Sequence, residues 1–470
     1  MADLAAESER TALWPTIRQA LAGSHHGSYT DGSIDRAIVL LAIPMVLELV
    51  LESVFAVVDV FFVARLGPSS VATVGLTESL MTLVYSVALG LGMGATATVA
   101  RRIGERDADG AAIAAVQAIL LGLFVAFPLG VFGAVFAGPI LAVMGAEPDV
   151  LAHSSFAAIL FGCNGVILML FLINAVFRGA GDAAIAMRVL WIANAFNLCL
   201  DPCFIFGLGP FPRLGVTGAA VATTTGRSIG VLVQLYFLSR RDGRLVVRRR
   251  HLRLAPSVLM NMVRLSGSAV VQFLISTTSY IGVMRIVASF GSVAVAACTI
   301  VIRIIMFILM PSWGLSNAAA TLVGQNLGAG RPDRAEASAW RACWFNVVVL
   351  GVVGVCFVGF SEIVVGWFTD DVAVAPTAVL GLRIVSGGFP FYAAGYVFLQ
   401  AFNGAGDTWT PTVINLGCFW CFELPLSYAL GRWLGYGPPG IFWAMAIAFS
   451  LMSVVSAMVF RRGAWKLKRV

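Results

Sequence analysis

Charge is what this sequence has least of. Asp, Glu, Lys and Arg make up 12% of its 470 residues, about half of what a soluble fold of that size carries. Histidine is scarcer still: His25, His26, His153 and His251 all fall in the tail or in loops, so none offers a proton relay inside an apolar segment. The eight cysteines (Cys163, Cys199, Cys203, Cys298, Cys343, Cys356, Cys418 and Cys421) lie in apolar stretches and imply no disulfide framework. Cys418 and Cys421 form a CxxC without a second pair or a nearby His, which favours small-hydrophobe packing over metal or redox chemistry. No ATPase motif occurs. The GQNLGAG stretch at 324–330 lacks the Gly-Lys-Ser/Thr ending of a phosphate cradle and follows an apolar run, so it predicts a tight turn. Asp370 and Asp371 are the sole Asp-Asp, with no second acidic motif to pair with, which argues against an integral-membrane transferase and against an enzyme in general. No basic region precedes a compact apolar run at the start, so no cleavable signal peptide is expected.

Apolar residues are present in excess, at 59%. They predict an all-α integral membrane protein with twelve spans, at about 37–64, 71–99, 111–137, 152–177, 185–207, 216–239, 258–288, 294–323, 337–361, 376–402, 411–433 and 439–460. A short LWPTIRQALAG near the start reads as a surface helix. The net charge of +7 would suit nucleic acid, but the basic residues cluster in short loops, where membrane orientation explains them better. One set of alternate loops holds Arg101, Arg102, Arg106, Arg178, Arg188, the run from Arg240 to Arg253, Arg331, Arg334, Arg341 and the tail from Arg461 to Arg469. The opposite set holds little beyond Arg65, Arg213 and Arg432, which predicts that both termini are cytoplasmic.

The chain is an internal repeat. Shifted by about 224 residues, Gly67, Val71, Ala72, Gly90, Leu91, Ala95, Val99 and Gly104 meet identical residues, and FRGAGD (177–182) meets FNGAGD (402–407). Six spans per copy is an even number, so both copies enter the membrane in the same sense, and two six-helix lobes related by a pseudo-two-fold axis along the membrane normal are predicted. The units are a tail at 1–35, an N-terminal lobe at 36–239, an inter-lobe loop at 240–257, a C-terminal lobe at 258–460 and a basic tail at 461–470.

Within the first span stand Glu48, Glu52 and Asp59. At about 100° per residue all three share one helical face. That face must point into protein, because a charged side chain at mid-membrane costs about 2.5–3.5 kcal/mol even on lenient scales. Glu48 and Glu52 could instead sit protonated against a neighbouring helix; Asp59 is too short to snorkel to an interface.

VGQNLGAGRPDRA (323–335), FRGAGD, FNGAGD and the stretch from Pro44 to Asp59 resemble the multidrug and toxic compound extrusion (MATE) family, of the MOP flippase superfamily, over about 35–460. The resemblance implies secondary active antiport: an organic, often cationic and amphipathic compound leaves a bacterial cell across its inner membrane while Na⁺ or H⁺ enters. It also implies a cation site in the N-terminal lobe at Asp59, Asn197, Asp201 and Thr223, with no cofactor beyond the coupling ion. Two carboxylates, an amide oxygen and a hydroxyl are the hard donors Na⁺ needs, and paired carboxylates equally suit a proton. The sequence departs from one branch of the family in the second lobe, where Ser276 and Tyr392 stand at the acidic positions. Glu48, Glu52, Glu423 and Tyr392 are additional candidates for cation or substrate.

Arg227, Arg285 and Arg303 lie within or near spans; snorkelling is the default reading of Arg285, and Arg303 is deep enough for a second reading, a buried partner or a role against anionic substrates. Pro128, Pro202, Pro311, Pro390 and Pro425 mark bends, and Phe161, Met169, Phe171, Phe389, Phe391, Tyr396, Trp420 and Phe422 supply aromatic and Met surface for a flat cation. A lipid or lipid-linked oligosaccharide flippase is the alternative within transport; it would want a basic cavity, whereas the first lobe is acidic. The expected partners are small organic cations and the bilayer, without nucleic acid, and the expected working unit is a monomer. In a background without native cysteines, Arg248→Cys is expected to stay unlabelled by an impermeant thiol reagent on intact cells. Labelling from outside would reverse the topology.

Overall fold

The computed structural model describes residues 13–23, 28–240 and 243–468. Twelve helical elements follow a short helix at Leu13–Ala22. They are α1 (Ile34–Ala64), α2 (Pro68–Gly104), α3 (Ala108–Val135), the bent α4 (Ser154–Gly162 and Asn164–Ala180), α5 (Ala183–Phe206) and α6 (Val216–Ser239). The second set is α7 (Pro256–Ala288), α8 (Ser292–Gly328), α9 (Pro332–Gly366), the bent α10 (Ala375–Gly387 and Phe389–Gly404), α11 (Trp409–Trp433) and α12 (Pro438–Arg461). Among the described residues nine single helices are long and apolar enough to cross a membrane, and the two bent pairs make eleven. The twelfth, α6, has the length but is more polar, because Thr223, Thr224, Thr225, Arg227 and Ser228 occupy its middle. An all-α bundle satisfies its backbone polar groups within each span, as the absence of water in hydrocarbon demands.

The repeat is visible in backbone detail. Both α2 and α8 are 37 residues long and start after glycines of matching conformation, Gly67 at φ 108° and Gly291 at φ 97°. The helices α6 and α12 are both 24 residues and follow Gly215 at φ 60° and Gly437 at φ 64°. α4 and α10 bend at equivalent places, by 46° and 54°. Pro390 stands at the second bend, whereas the first, at Cys163, has no proline and was not visible in the sequence. α11 departs most from its mate α5: residues Leu416–Glu423 and Ala429–Trp433 wind as π-helix around Pro425. The GQNLGAG stretch does not turn where expected. Helix α8 runs on to Gly328, and the turn comes at Gly330, φ 69°.

The two lobes meet through reciprocal small-residue contacts near the arginine-rich end. A Cβ at Gly104 of α2 would collide with the Gln325 carbonyl of α8, and one at Gly328 of α8 would collide with the Arg101 carbonyl of α2. Higher up, Gly90 of α2 faces the backbone of Val270 on α7, while Gly314 of α8 faces the backbone of Val46 on α1. Each pair maps onto the other under the 224-residue shift, so the seam is self-complementary, like the interface of a two-fold dimer. The seam also exchanges the first turns of two helices: Ile38 of α1 packs in a core with Leu322, Val323 and Phe398 of the second lobe, and its mate Met262 of α7 packs with the first lobe. At the lobe boundary, therefore, α1 and α7 belong to both units at their arginine-rich ends.

Away from that end the lobes part. Ala95, Ala97, Val99 and Ala100 on α2, and Ala318, Ala319, Leu322 and Val323 on α8, are fully enclosed. Towards Pro68 and Ser292 the same helices expose Val71, Glu78, Thr82, Arg303, Met306 and Phe307. Polar straps reinforce the closed end: Arg331 Nη1 meets Asp31 Oδ1 at 2.6 Å, and Arg101 of the first lobe donates to the Lys468 carbonyl at 3.0 Å while Lys468 Nζ meets Asp407 of the second at 3.4 Å. Gly104→Val and Gly328→Val are each expected to open the seam, because a Cβ there strikes backbone, at a packing cost of about 1–3 kcal/mol. The readout is labelling of a cysteine at Gln325, expected to accelerate about tenfold; Gly75→Val, where a Cβ meets nothing, should leave it unchanged.

Candidate functional site

The acidic face of α1 turns into the first lobe, and each of its carboxylates finds a different partner. Glu48, 3% exposed, accepts from Arg178 Nη1 at 2.8 Å and Asn174 Nδ2 at 3.1 Å, both on α4 and four residues apart. Asn174 in turn accepts from Gln234 of α6 at 2.7 Å. Glu52 accepts from Asn194 of α5 at 2.9 Å and lies 3.5 Å from Arg227 of α6. Arg227 also reaches Tyr85 and lies 5.8 Å from the Tyr85 and Phe171 ring centres.

Asp59 receives no arginine of its own. Its carboxyl stands beside that of Asp201 and interacts with it, and its Oδ1 is buried without a partner. Asp201, 1% exposed, accepts from Asn197 Nδ2 at 3.3 Å, and the same amide donates to Thr223 Oγ1 at 3.2 Å. Asp59, Asn197, Asp201 and Thr223, from α1, α5 and α6, therefore form one contiguous cluster. Local geometry explains it: Asn197 and Asp201 are one turn apart on α5, and Gly226, against which α5 packs by its Ala193 carbonyl, lets α6 approach closely.

The charge balance of the cluster is uneven. Four carboxylates, Glu48 and Asp201 buried and Glu52 and Asp59 half-buried, face two guanidiniums (Arg178, Arg227), each of which is held by a glutamate. The uncompensated charge falls on the aspartate pair. Glu78 of α2 lies on the approach to Asp59 and feels Arg303 across the cleft.

Several residues stand elsewhere than the sequence suggested. Arg178 and Arg188 are not loop charges: both are helical, Arg178 holding Glu48 and Arg188 donating to the Leu21 carbonyl at 2.7 Å. Of the arginines within spans it is Arg227 that has an acidic partner inside the lobe, while Arg303, for which a buried partner was one alternative, is exposed. Asn174 and Asn194 were missed; their spacing from Arg178 and Asp201 on apolar helices was the available signal. His25 and His26 lie outside the described residues.

In the second lobe Glu423 is not part of this cluster. It is 4% exposed in the π-helical part of α11, where Ser279 Oγ lies 3.4 Å away. Ser276, Tyr392 and Glu423 line a cavity of about 390 Å³ with Gln272, Trp313 and Asn415. A smaller space of about 70 Å³ lies between the lobes, with Glu48, Glu52 and Arg178 on one wall and Asn317, Gln400 and Asn403 on the other.

The MatE family model matches residues 44–203 and again 268–429. The chain belongs to the MatE family. The two matched segments fall one in each lobe, so the internal repeat of this chain is the repeat of the family. It is 26% identical to the probable multidrug resistance protein YoeA of Bacillus subtilis, over 93% of this chain and 96% of that one. To the probable multidrug resistance protein NorM of Thermotoga maritima it is 27% identical, over 93% and 94%. The solved structure of a MOP superfamily transporter from Pyrococcus furiosus shares the fold, with a TM-score of 0.87 at 23% identity and 96% and 98% coverage.

Within this MatE-family chain Arg178→Met is expected to be strongly destabilising, by about 3–5 kcal/mol, since it strands Glu48 in a dry site. Adding Glu48→Gln should recover most of the loss. Thermal unfolding of the purified single and double variants measures it; additive losses would mean that the pair is not coupled.

Proposed function

We propose that the protein exports organic cations in exchange for an inward-moving cation, by alternating access across a bacterial inner membrane, with Asp59 and Asp201 as the coupling centre. The observation that carries this reading is the aspartate pair itself: two facing carboxyls, in a lobe whose arginines are already engaged, on the side where the lobes part. Two carboxylates at such a distance cannot both stay charged without a cation between them. With Asn197 donating its N–H group to Asp201 and Thr223, the observed arrangement suits one shared proton. Turning the amide over would aim its oxygen inward and give two carboxylates, an amide oxygen and a hydroxyl, a set that suits Na⁺.

On this reading the arginine-rich face, with both termini, is cytoplasmic, and the described state is closed inside and open outside. An external cation reaches Asp59 and Asp201 first. Its binding removes the repulsion within the aspartate pair and lets α1 and α5 draw together inside the first lobe, the change that on this reading closes the cleft outside as the glycine seam opens inside. One chain supplies both lobes, so a monomer suffices. Charge also separates this reading from a lipid flippase, since the cluster carries an excess of negative charge that would repel a pyrophosphate.

Asp59→Asn tests it in proteoliposomes loaded with a fluorescent cationic dye, under separately imposed Na⁺ and H⁺ gradients. Gradient-driven export should fall at least about tenfold while the variant stays folded, because the substitution removes a buried charge and keeps size and hydrogen bonding. Thr223→Ala should be milder, weakening ion dependence more than maximal rate. Wild-type export by Asp59→Asn would move the coupling centre elsewhere.

A further inference from the structure

The second lobe, with Thr82 and Met93 of α2, encloses a space that the ion-coupling reading leaves unused. Its cavity of about 390 Å³ falls in the range of small-molecule sites, and no Lys, Arg or His lines it. The lone carboxylate on its wall is Glu423. That side chain has one poor donor: the Ser279 hydroxyl, 3.4 Å away, carries a single hydrogen and also lies 3.3 Å from the Phe419 carbonyl. Three further buried oxygens on the same wall have no partner: Gln272 Oε1, Asn415 Oδ1 and Tyr392 Oη. The residues that carry them are 5%, 4% and 2% exposed. A buried polar oxygen without a partner costs free energy, so three of them beside a poorly satisfied carboxylate describe what the space is shaped to receive.

Comparison with the first lobe shows why this carboxylate is available. Counted back from the capping glycines Gly215 and Gly437, Glu423 stands where Asp201 stands in the first lobe. The mate of Asp59 under the 224-residue shift is Val283, which lines the cavity. Glu423 therefore has neither an acidic neighbour to share a proton with nor an arginine, and both it and Val283 border the open volume. Much of the rest of the wall is apolar and adaptable: Phe449 lies 4.5 Å from Tyr392 and 4.9 Å from Phe419, ring centre to ring centre, and Met445 and Met452 line the same space. Such rings and thioethers accept flat apolar bodies and stabilise cations over their faces.

We propose that this cavity is a substrate site for organic cations that carry N–H donors, protonated amines or amidines on a flat apolar body, held by Glu423 with Gln272, Asn415 and Tyr392 as acceptors. The inference rests on the exporter reading and narrows its substrate class: a quaternary ammonium brings charge but no donor, and leaves the three neutral oxygens unsatisfied. An ammonium group brings three donors.

The test is equilibrium binding, by titration calorimetry at pH 7 without any ion gradient, on the full purified chain in lipid nanodiscs. The probes are 1-naphthylmethylammonium and its N,N,N-trimethyl analogue, matched in ring and charge. The ammonium should bind at least about tenfold tighter. Glu423→Gln should weaken both probes about tenfold or more, whereas Gln272→Leu should weaken the ammonium and spare the trimethyl analogue. Should Glu423→Gln not yield monodisperse protein, Gln272→Leu and Tyr392→Phe carry the same comparison. Equal affinity for the two probes, or a folded Glu423→Gln that binds both as wild type does, overturns the assignment. Gradient-driven dye export is measured separately. Selective binding without export would count against the exporter reading and uphold the cavity; export with no amine selectivity would do the reverse.

Discussion

Four carboxylates inside an apolar bundle are the constraint to which the rest of the first lobe answers. Each would cost several kcal/mol if left charged against lipid, and the sequence places three of them on one helix. Two are neutralised by arginines on α4 and α6, and those arginines are themselves buried only because glutamates receive them. Neither pair is a source of net stability on its own, since desolvation consumes most of what the ion pair returns. What the pairs provide is position: they fix α1 against α4, α5 and α6 so that Asp59 comes to stand beside Asp201.

The seam between the lobes has the complementary character. It is built from glycine, alanine and backbone, with the reciprocal contacts Gly104 to Gln325 and Gly328 to Arg101 at its arginine-rich end. Small residues allow close helix contact without side-chain interlocking, so a surface of this kind can part and re-form at modest cost. Arg178 links the two systems: its side chain holds Glu48, and its backbone carbonyl accepts from Thr321 of α8 across the seam at 3.1 Å. The neighbouring Gly179 carbonyl accepts from Gln325 at 3.0 Å. A change in the acidic cluster thus has a short covalent path to the seam between the lobes.

The lobes have diverged in what fills them. Where the first places ion pairs, the second places amides: Gln400 donates to Asn317 at 2.9 Å and accepts from Asn403 at 3.0 Å, and Asn403 is the FNGAGD counterpart of Arg178 in FRGAGD. Removing the charges from one lobe leaves it free to hold a cavity, and the π-helical turns of α11 carry Glu423 to the edge of that space. A widened turn of this kind is a common way to redirect one side chain without breaking a span.

Sequence by itself determined the architecture, because spans and repeats are written in composition and period. Hydrocarbon admits only internally bonded helices, so apolar length translates directly into spans, and an even number of spans per copy sets the parallel two-lobe arrangement. It also brought Asp59, Asn197, Asp201 and Thr223 to notice, through helical spacing and resemblance together. Pairing was decided only in three dimensions. Whether Glu48, Glu52 or Asp59 would stay unneutralised depended on where Arg178 and Arg227 come to rest, on helices 130 and 175 residues away along the chain. Helical period gives the direction of a side chain around its own axis but not the identity of the helix it meets. For the same reason Arg178 read as a loop charge and Arg303 as open to a buried partner, and the bend of α4 at Cys163 and the hollow beside Glu423, both set by packing between helices, left no mark in the sequence.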